Sequence, residues 1–178
     1  MIENNSLLSA FFVLVDEYFS SIELEIDDIM TFQDYFNLLV SLIRKNYHKG
    51  LSPATSTNFS LKLPIKSKLG EEAKQNFFIM TRSGIDKEFC SEKDFLIVND
   101  KGEILLRQEV NHKPSAEAPL HLGIYHFFPK VTCILHSHSV ISTVLSRIYL
   151  KDEAITFEGY ELQKGIKGIE THETKVIL

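Results

Sequence analysis

The sequence predicts a mixed α/β domain, and three observations carry that expectation. Apolar runs of strand length recur mid-chain: Phe59 to Leu63 alternates as FSLKL, while FFIM at 77–80 and FLIV at 95–98 are continuous. Before them, Phe32, Phe36, Leu39, Ile43 and Tyr47 recur at i, i+4, i+7, i+11 and i+15, the stripe of an amphipathic helix. After Lys113, helix-like and strand-like segments alternate to the end. With 178 residues, 44% hydrophobic and 24% charged, the chain is long enough to bury one domain core.

Taken in order, Ser6 to Ser20 is expected to be a first helix. Its apolar run LLSAFFVLV has no preceding Lys or Arg, is followed by DEYF rather than a cleavage site, and is too short to span a bilayer. Ile22 to Asp28 alternates apolar and acidic residues and reads as a linker or a solvent-edged extended piece. Thr31-Phe32-Gln33-Asp34 has the form of a capping box, and Gly50 is a credible stop for the helix that follows. LSPATSTNFS is a polar loop, and Pro64 to Gln75 reads as a charged surface turn. The run NDKG at 99–102 turns FLIV back on a hairpin partner at Glu103 to Gln108. A helix is expected from about Glu117 to Phe128, with Pro119 in its first turn and Leu120, Ile124 and Phe127 on its buried face. Pro129 closes it. Val131 to Leu135 is a strand, Val140, Val144, Leu145 and Ile148 mark a helix, and Ala154 to Phe157 and Thr174 to Leu178 read as strands.

The net charge of -5 gives no basic footprint for nucleic acid. It does not exclude a phosphorylated substrate, because backbone N–H groups bind phosphate on acidic proteins too. The two cysteines, Cys90 and Cys133, form no CxxC, which argues for a reducing cytosol and against a disulfide scaffold. No segment approaches membrane length, so no membrane partner is expected.

Chemistry concentrates at His136-Ser137-His138. In an extended segment, residues i and i+2 point the same way, so the two imidazoles can face one point where a strand gives way to a helix. Zinc accepts neutral imidazole, and catalytic zinc sites generally use three protein ligands and one open position. The alternative is a pair of polar residues at a strand end. His48, His112, His121, His126 and His172 offer no third ligand by spacing. Three small-residue loops, Thr55 to Asn58, Thr81 to Gly84 and Lys113 to Ala116, hold hydroxyl and N–H donors suited to phosphate, although each is also an ordinary turn or cap. Glu117, Glu158 and Glu161 are acids that could move protons beside a Lewis-acidic metal, or simply solvated surface groups.

In order, SPATSTNFSLKL, FFIMTRSGIDKEFCSEKDFLIVNDKGE, KPSAEAPLHLGIYHFFPKVTCILHSHSVISTVLSRI and FEGYELQKGIKGIETHE resemble the class II aldolase superfamily. GYELQKGIKG with the following THE resembles its branch of methionine-salvage dehydratases acting on methylthioribulose 1-phosphate. The resemblance implies a three-layer α/β/α domain with a central, largely antiparallel sheet over residues 31–178, with 1–30 as an N-terminal helical extension. It implies a cytoplasmic homotetramer and zinc held by three histidines, the first two matching His136 and His138. It makes Glu161 the catalytic acid/base. Glu117 matches the glutamate that has this role in aldolase relatives. Phosphate contacts fall to Thr57, Asn58, Ser83, Gly84, Ser115 and Ala116.

Thr57 stands where the superfamily usually has Gly, which is expected to deny that loop a positive φ, and Arg82 stands where Pro is common. The family's third zinc histidine lies in a downstream R-H-G-like segment that this sequence does not reach. The expectation is a domain incomplete at its C-terminus, with weakened zinc binding and an uncovered apolar sheet edge. Three functions stay open: a zinc-dependent dehydratase, a class II aldolase or epimerase acting on another sugar phosphate, and a non-catalytic remnant.

Overall fold

A computed structural model describes residues 20–21, 24–26, 30–67, 76–152 and 154–177. The expected helix at Ser6 to Ser20 falls almost wholly outside them. The chain divides into two compact units, Met1–His138 and Ser139–Leu178.

The first unit is built on a five-stranded sheet. Its strands are β2 (Asn58–Lys62), β4 (Phe77–Thr81), β5 (Phe95–Asn99), β6 (Ile104–Arg107) and β7 (Cys133–His136), in the order β6-β5-β4-β2-β7. Every pairing is antiparallel. Helix α1 (Phe32–His48) covers one face and helix α2 (Ala118–Phe127) the other, so the expected α/β/α layering is present. The strand period of two sorts the side chains between them. Phe59, Leu61, Phe77, Ile79, Phe95 and Ile97 pack with α1, while Phe78, Met80, Leu96 and Val98 pack with α2.

Helix α1 begins and ends as its sequence predicts. Asp34 N–H donates to Thr31 Oγ1 at 3.3 Å, and Thr31 N–H donates to Asp34 Oδ2 at 2.7 Å, a reciprocal capping box. At the other end Gly50 takes φ +71°, Gly50 N–H reaches Tyr47 O at 2.8 Å and Leu51 N–H reaches Asn46 O at 3.0 Å, the Schellman pattern.

Of the two readings of Ile22 to Asp28, the extended one holds: Leu24–Ile26 (β1) is a strand. It pairs antiparallel with β3 (Ile65–Ser67), which corrects the expectation of a turn from Pro64 onward. Each is only three residues long, and alternating acidic or basic residues on a short edge pair carry little hydrophobic signal.

The buried face of α2 is corrected as well. Ala118, His121 and Tyr125 are buried, while Leu120 is 57% and Phe127 77% exposed. The helix turns its two polar rings inward because the sheet offers them a hydroxyl, Ser60, described below.

The second unit contains α3 (Val140–Ile148) and a two-stranded antiparallel ladder of β8 (Thr156–Phe157) with β9 (Val176–Ile177). Between these strands a 3-10 turn runs from Glu161 to Gly165. Buried Gln163 pins it to the ladder: its amide donates to Thr174 O at 2.6 Å and its carbonyl accepts from Tyr160 N–H at 2.8 Å. Among the described residues, no helix is long and apolar enough to cross a membrane.

Candidate active site

Antiparallel pairing of β2 with β7 sets Asn58 directly across from His136. Cross-strand partners share a face, so the first residue of one strand meets a ligand candidate at the end of another. The backbone N–H of His138 donates to Leu51 O at 2.8 Å, which ties the end of the His-Ser-His segment to the loop after α1. The His136 and His138 rings then stand 4.9 Å apart, tilted by 50°.

Glu117 completes the cluster from the start of α2. Ser115 Oγ accepts from Glu117 N–H at 3.2 Å, holding the turn that leads into the helix. The Asn58 amide donates to Ser115 Oγ at 3.3 Å and, closely, to Glu117 Oε2. Glu117 Oε2 also lies 3.0 Å from His136 Nδ1. That approach is not a hydrogen bond, and among the described residues Nδ1 has no hydrogen-bonding partner. Glu117 titrates below its ordinary value, first because of the Asn58 hydrogen bond, against some desolvation, and then because of the charge of His136. It is therefore a carboxylate at neutral pH.

The other predicted phosphate contacts converge on the same strand ends. An isolated bridge joins Arg82 to Pro114, and Ser83 N–H donates to Lys113 O at 2.8 Å, bringing Ser83-Gly84 beside Ser115-Ala116. Arg82 itself is committed elsewhere. Its Nε and terminal nitrogen both lie 2.8 Å from Asp94 Oδ1, so it braces the turn rather than extending from it.

Thr57 overturns an expectation. It adopts φ +75°, the left-handed region that a β-branched residue rarely occupies, so the loop keeps the conformation despite lacking glycine. Its hydroxyl is buried without a partner among the described residues.

Glu161 belongs to the second unit and has its own surroundings there. Its carboxylate receives Lys164 Nζ at 2.6 Å and lies 3.6 Å from His172 Nδ1, and its side chain is largely exposed.

Sequence spacing missed one buried histidine. His121 Nδ1 lies 2.6 Å from Ser60 Oγ, which lies 2.9 Å from the Tyr125 hydroxyl. The available signal was the i, i+4 spacing of His121 and Tyr125 on a helix opposite a strand serine.

Among the described residues, no group of three or more His, Cys, Asp or Glu is arranged to hold a metal ion. The donor chemistry of His136 and His138 nevertheless suits zinc. The Glu117 carboxylate 3.0 Å from Nδ1 adds an acidic neighbour to the His136 ring without a hydrogen bond to it. The two histidines would supply two ligands of a site.

The class II aldolase and adducin N-terminal domain matches residues 37–177. The chain belongs to this family. Curated relatives named methylthioribulose-1-phosphate dehydratase include one from Picosynechococcus sp., 44% identical over 140 residues, covering 79% of this chain and 61% of the relative. Another, from Xanthomonas oryzae pv. oryzae, is 39% identical over 140 residues, covering 79% of this chain and 56% of the relative. The chain thus spans about three-fifths of the length of these relatives. Among solved structures of the class II aldolase fold, the YgbL protein of Klebsiella pneumoniae is 26% identical with a TM-score of 0.54, over 66% of this chain and 50% of that one. The L-fuculose-1-phosphate aldolase of Thermus thermophilus is 22% identical with a TM-score of 0.50, over 72% of this chain and 56% of that one, a likeness of fold alone.

Proposed function

We propose that this chain carries the substrate- and zinc-binding portion of a hydro-lyase. It would convert 5-methylthioribulose 1-phosphate to 2,3-diketo-5-methylthiopentyl 1-phosphate in methionine salvage, as a cytoplasmic homotetramer. The observation that supports it best is the meeting of Asn58, Glu117, His136 and His138 at one end of β2 and β7. The similarity to relatives named for this dehydration adds support.

His136 and His138 would hold zinc, which when bound supplies Lewis acidity at the substrate C2 carbonyl. The hydroxyls and N–H groups of Thr57, Asn58, Ser83, Gly84, Ser115 and Ala116 bind the phosphate and fix the sugar. Asn58 holds Glu117 ionised beside His136, where it faces the substrate oxygens. Loss of the C3 proton to a carboxylate and of the C4 hydroxyl as water gives an enol, which collapses to the 2,3-diketone. Glu161 is the acid that protonates the leaving hydroxyl, or serves both steps.

The test is formation of the diketone phosphate by this chain with zinc. Glu161→Gln is expected to lower kcat by about 10²–10⁴-fold, as for other general acids. Glu117→Gln is expected to lose less. The ionised Glu117 on His136 is what favours a second reading, an aldolase or epimerase acting on another sugar phosphate. Aldehyde release abolished by Glu117→Gln and untouched by Glu161→Gln would select it. A chain that takes up no zinc and turns over none of these sugar phosphates is a non-catalytic domain.

A further inference from the structure

Behind the candidate site lies a buried chain of hydroxyl and ring groups whose proton order can be deduced. Among the described residues Ser60 Oγ is the hydrogen-bonding partner of the Tyr125 hydroxyl, so the Tyr125 hydrogen has no other acceptor. The Tyr125 hydrogen then goes to Ser60 Oγ, 2.9 Å away. The Ser60 hydrogen goes to His121 Nδ1, 2.6 Å away. This is the order in which both hydroxyl hydrogens of the chain find an acceptor. His121 therefore carries its ring proton on Nε2. That atom is fully buried without a partner among the described residues, on a residue only 2% exposed. Burial also keeps the ring neutral, pushing its pKa down to about 4.

The Asn58 amide is ordered by the same kind of reasoning. A carboxylate only accepts, so the side facing Glu117 is the NH₂ group. Asn58 Oδ1 is buried without a partner among the described residues. Asn58 and His121 both line one small space of about 10 Å³, together with Thr81 and Ser115. A space of about that volume is the least that admits one water, given polar partners.

We propose that His121 is a positioning residue for the Asn58–Glu117–His136 cluster, acting through one ordered water in this cavity. The water accepts from His121 Nε2–H and donates to Asn58 Oδ1. With its oxygen held inward, Asn58 keeps its NH₂ group on Glu117 and so holds the carboxylate at His136. Without the inner donor the amide is free to turn over, which would set oxygen against carboxylate. The buried Tyr125–Ser60–His121 chain thus transmits the rigidity of the sheet and α2 to the surface cluster.

The test uses nitrogen-resolved NMR on the full chain. In the unsubstituted protein the His121 ring is expected as the Nε2–H tautomer at neutral pH. An Nδ1–H tautomer overturns the proposal without any variant. His121→Gln places an amide nitrogen near the former Nε2, whereas His121→Asn reaches only the inner position. Hydrogen exchange of the Asn58 side-chain amide is expected to stay within about twofold in H121Q and to rise about tenfold in H121N, the size of one lost hydrogen bond. Equal exchange in the two variants overturns the proposal. The kinetic arm rests on the dehydratase reading, and H121N is expected to lower kcat about tenfold relative to H121Q with similar KM. An unsubstituted chain without dehydratase turnover but with the expected tautomer and exchange removes that reading and leaves the positioning role supported.

Discussion

The two faces of the central sheet are closed in opposite ways. Under α1 the contacts are apolar, with Phe36, Leu39 and Ile43 set on Phe59, Ile79 and Phe95, and the Phe36 and Phe95 rings meeting edge to face at 5.3 Å. Under α2 the apolar patch is smaller and a polar chain, Ser60, His121 and Tyr125, is buried with it. The first face is the main source of burial free energy. The second accepts the cost of buried polar groups, and the site residues Asn58, Glu117 and His136 stand at its end. Stability and positioning are thereby assigned to different faces of one sheet.

The contrast is sharpened first by truncating the apolar face. Phe36→Ala is expected to lower stability by about 3 to 5 kcal/mol, measured by urea unfolding, because it opens a cavity among fully buried side chains. A loss below 1 kcal/mol would mean that the α1 face is not the dominant source of stability.

The polar face should reveal itself through pH. His121 has its pKa pushed from 6.5 down to about 4 by burial and then by the charge of His136. The unfolded chain takes up that proton near pH 6.5, while the folded chain resists until about pH 4. The contribution is complete above the unfolded value, is lost as pH falls through the window between the two, and is flat below it. The separation corresponds to about 3 kcal/mol. Urea midpoints between neutral pH and pH 4 should fall more steeply for the unsubstituted protein than for His121→Gln. Identical slopes would show that the buried ring is not responsible.

The smallest effect concerns the loop that feeds the site. Thr57→Gly removes a β-branched residue from φ +75° and a buried hydroxyl without a partner among the described residues. Stabilisation of about 1 kcal/mol is expected, read as a higher urea midpoint. A lower midpoint would mean that packing of the Thr57 methyl outweighs both.

Local signals accounted for much of this. The stripe and capping box of α1, the Gly50 stop, the runs that became β4 and β5, and the His-Ser-His segment at the end of β7 all follow from spacing and residue type. Local pattern failed where burial depends on a distant partner. Leu120 and Phe127 look like core residues of α2, yet His121 and Tyr125 are inside because Ser60 lies across from them. The alternation at Ile22 to Asp28 allowed an extended piece, but β3 and its pairing with β1 were missed because a three-residue strand carries too few apolar positions to show a period.

By itself, then, the sequence determined the elements, their caps and the two candidate zinc imidazoles, because those depend on neighbours within a few residues. Only the tertiary structure decided that Asn58 faces His136, that Glu117 reaches both, and that a buried histidine stands behind them. Strand register governs all three. A one-residue slip of β2 against β7 would send these side chains to the opposite face, and no local pattern encodes that choice.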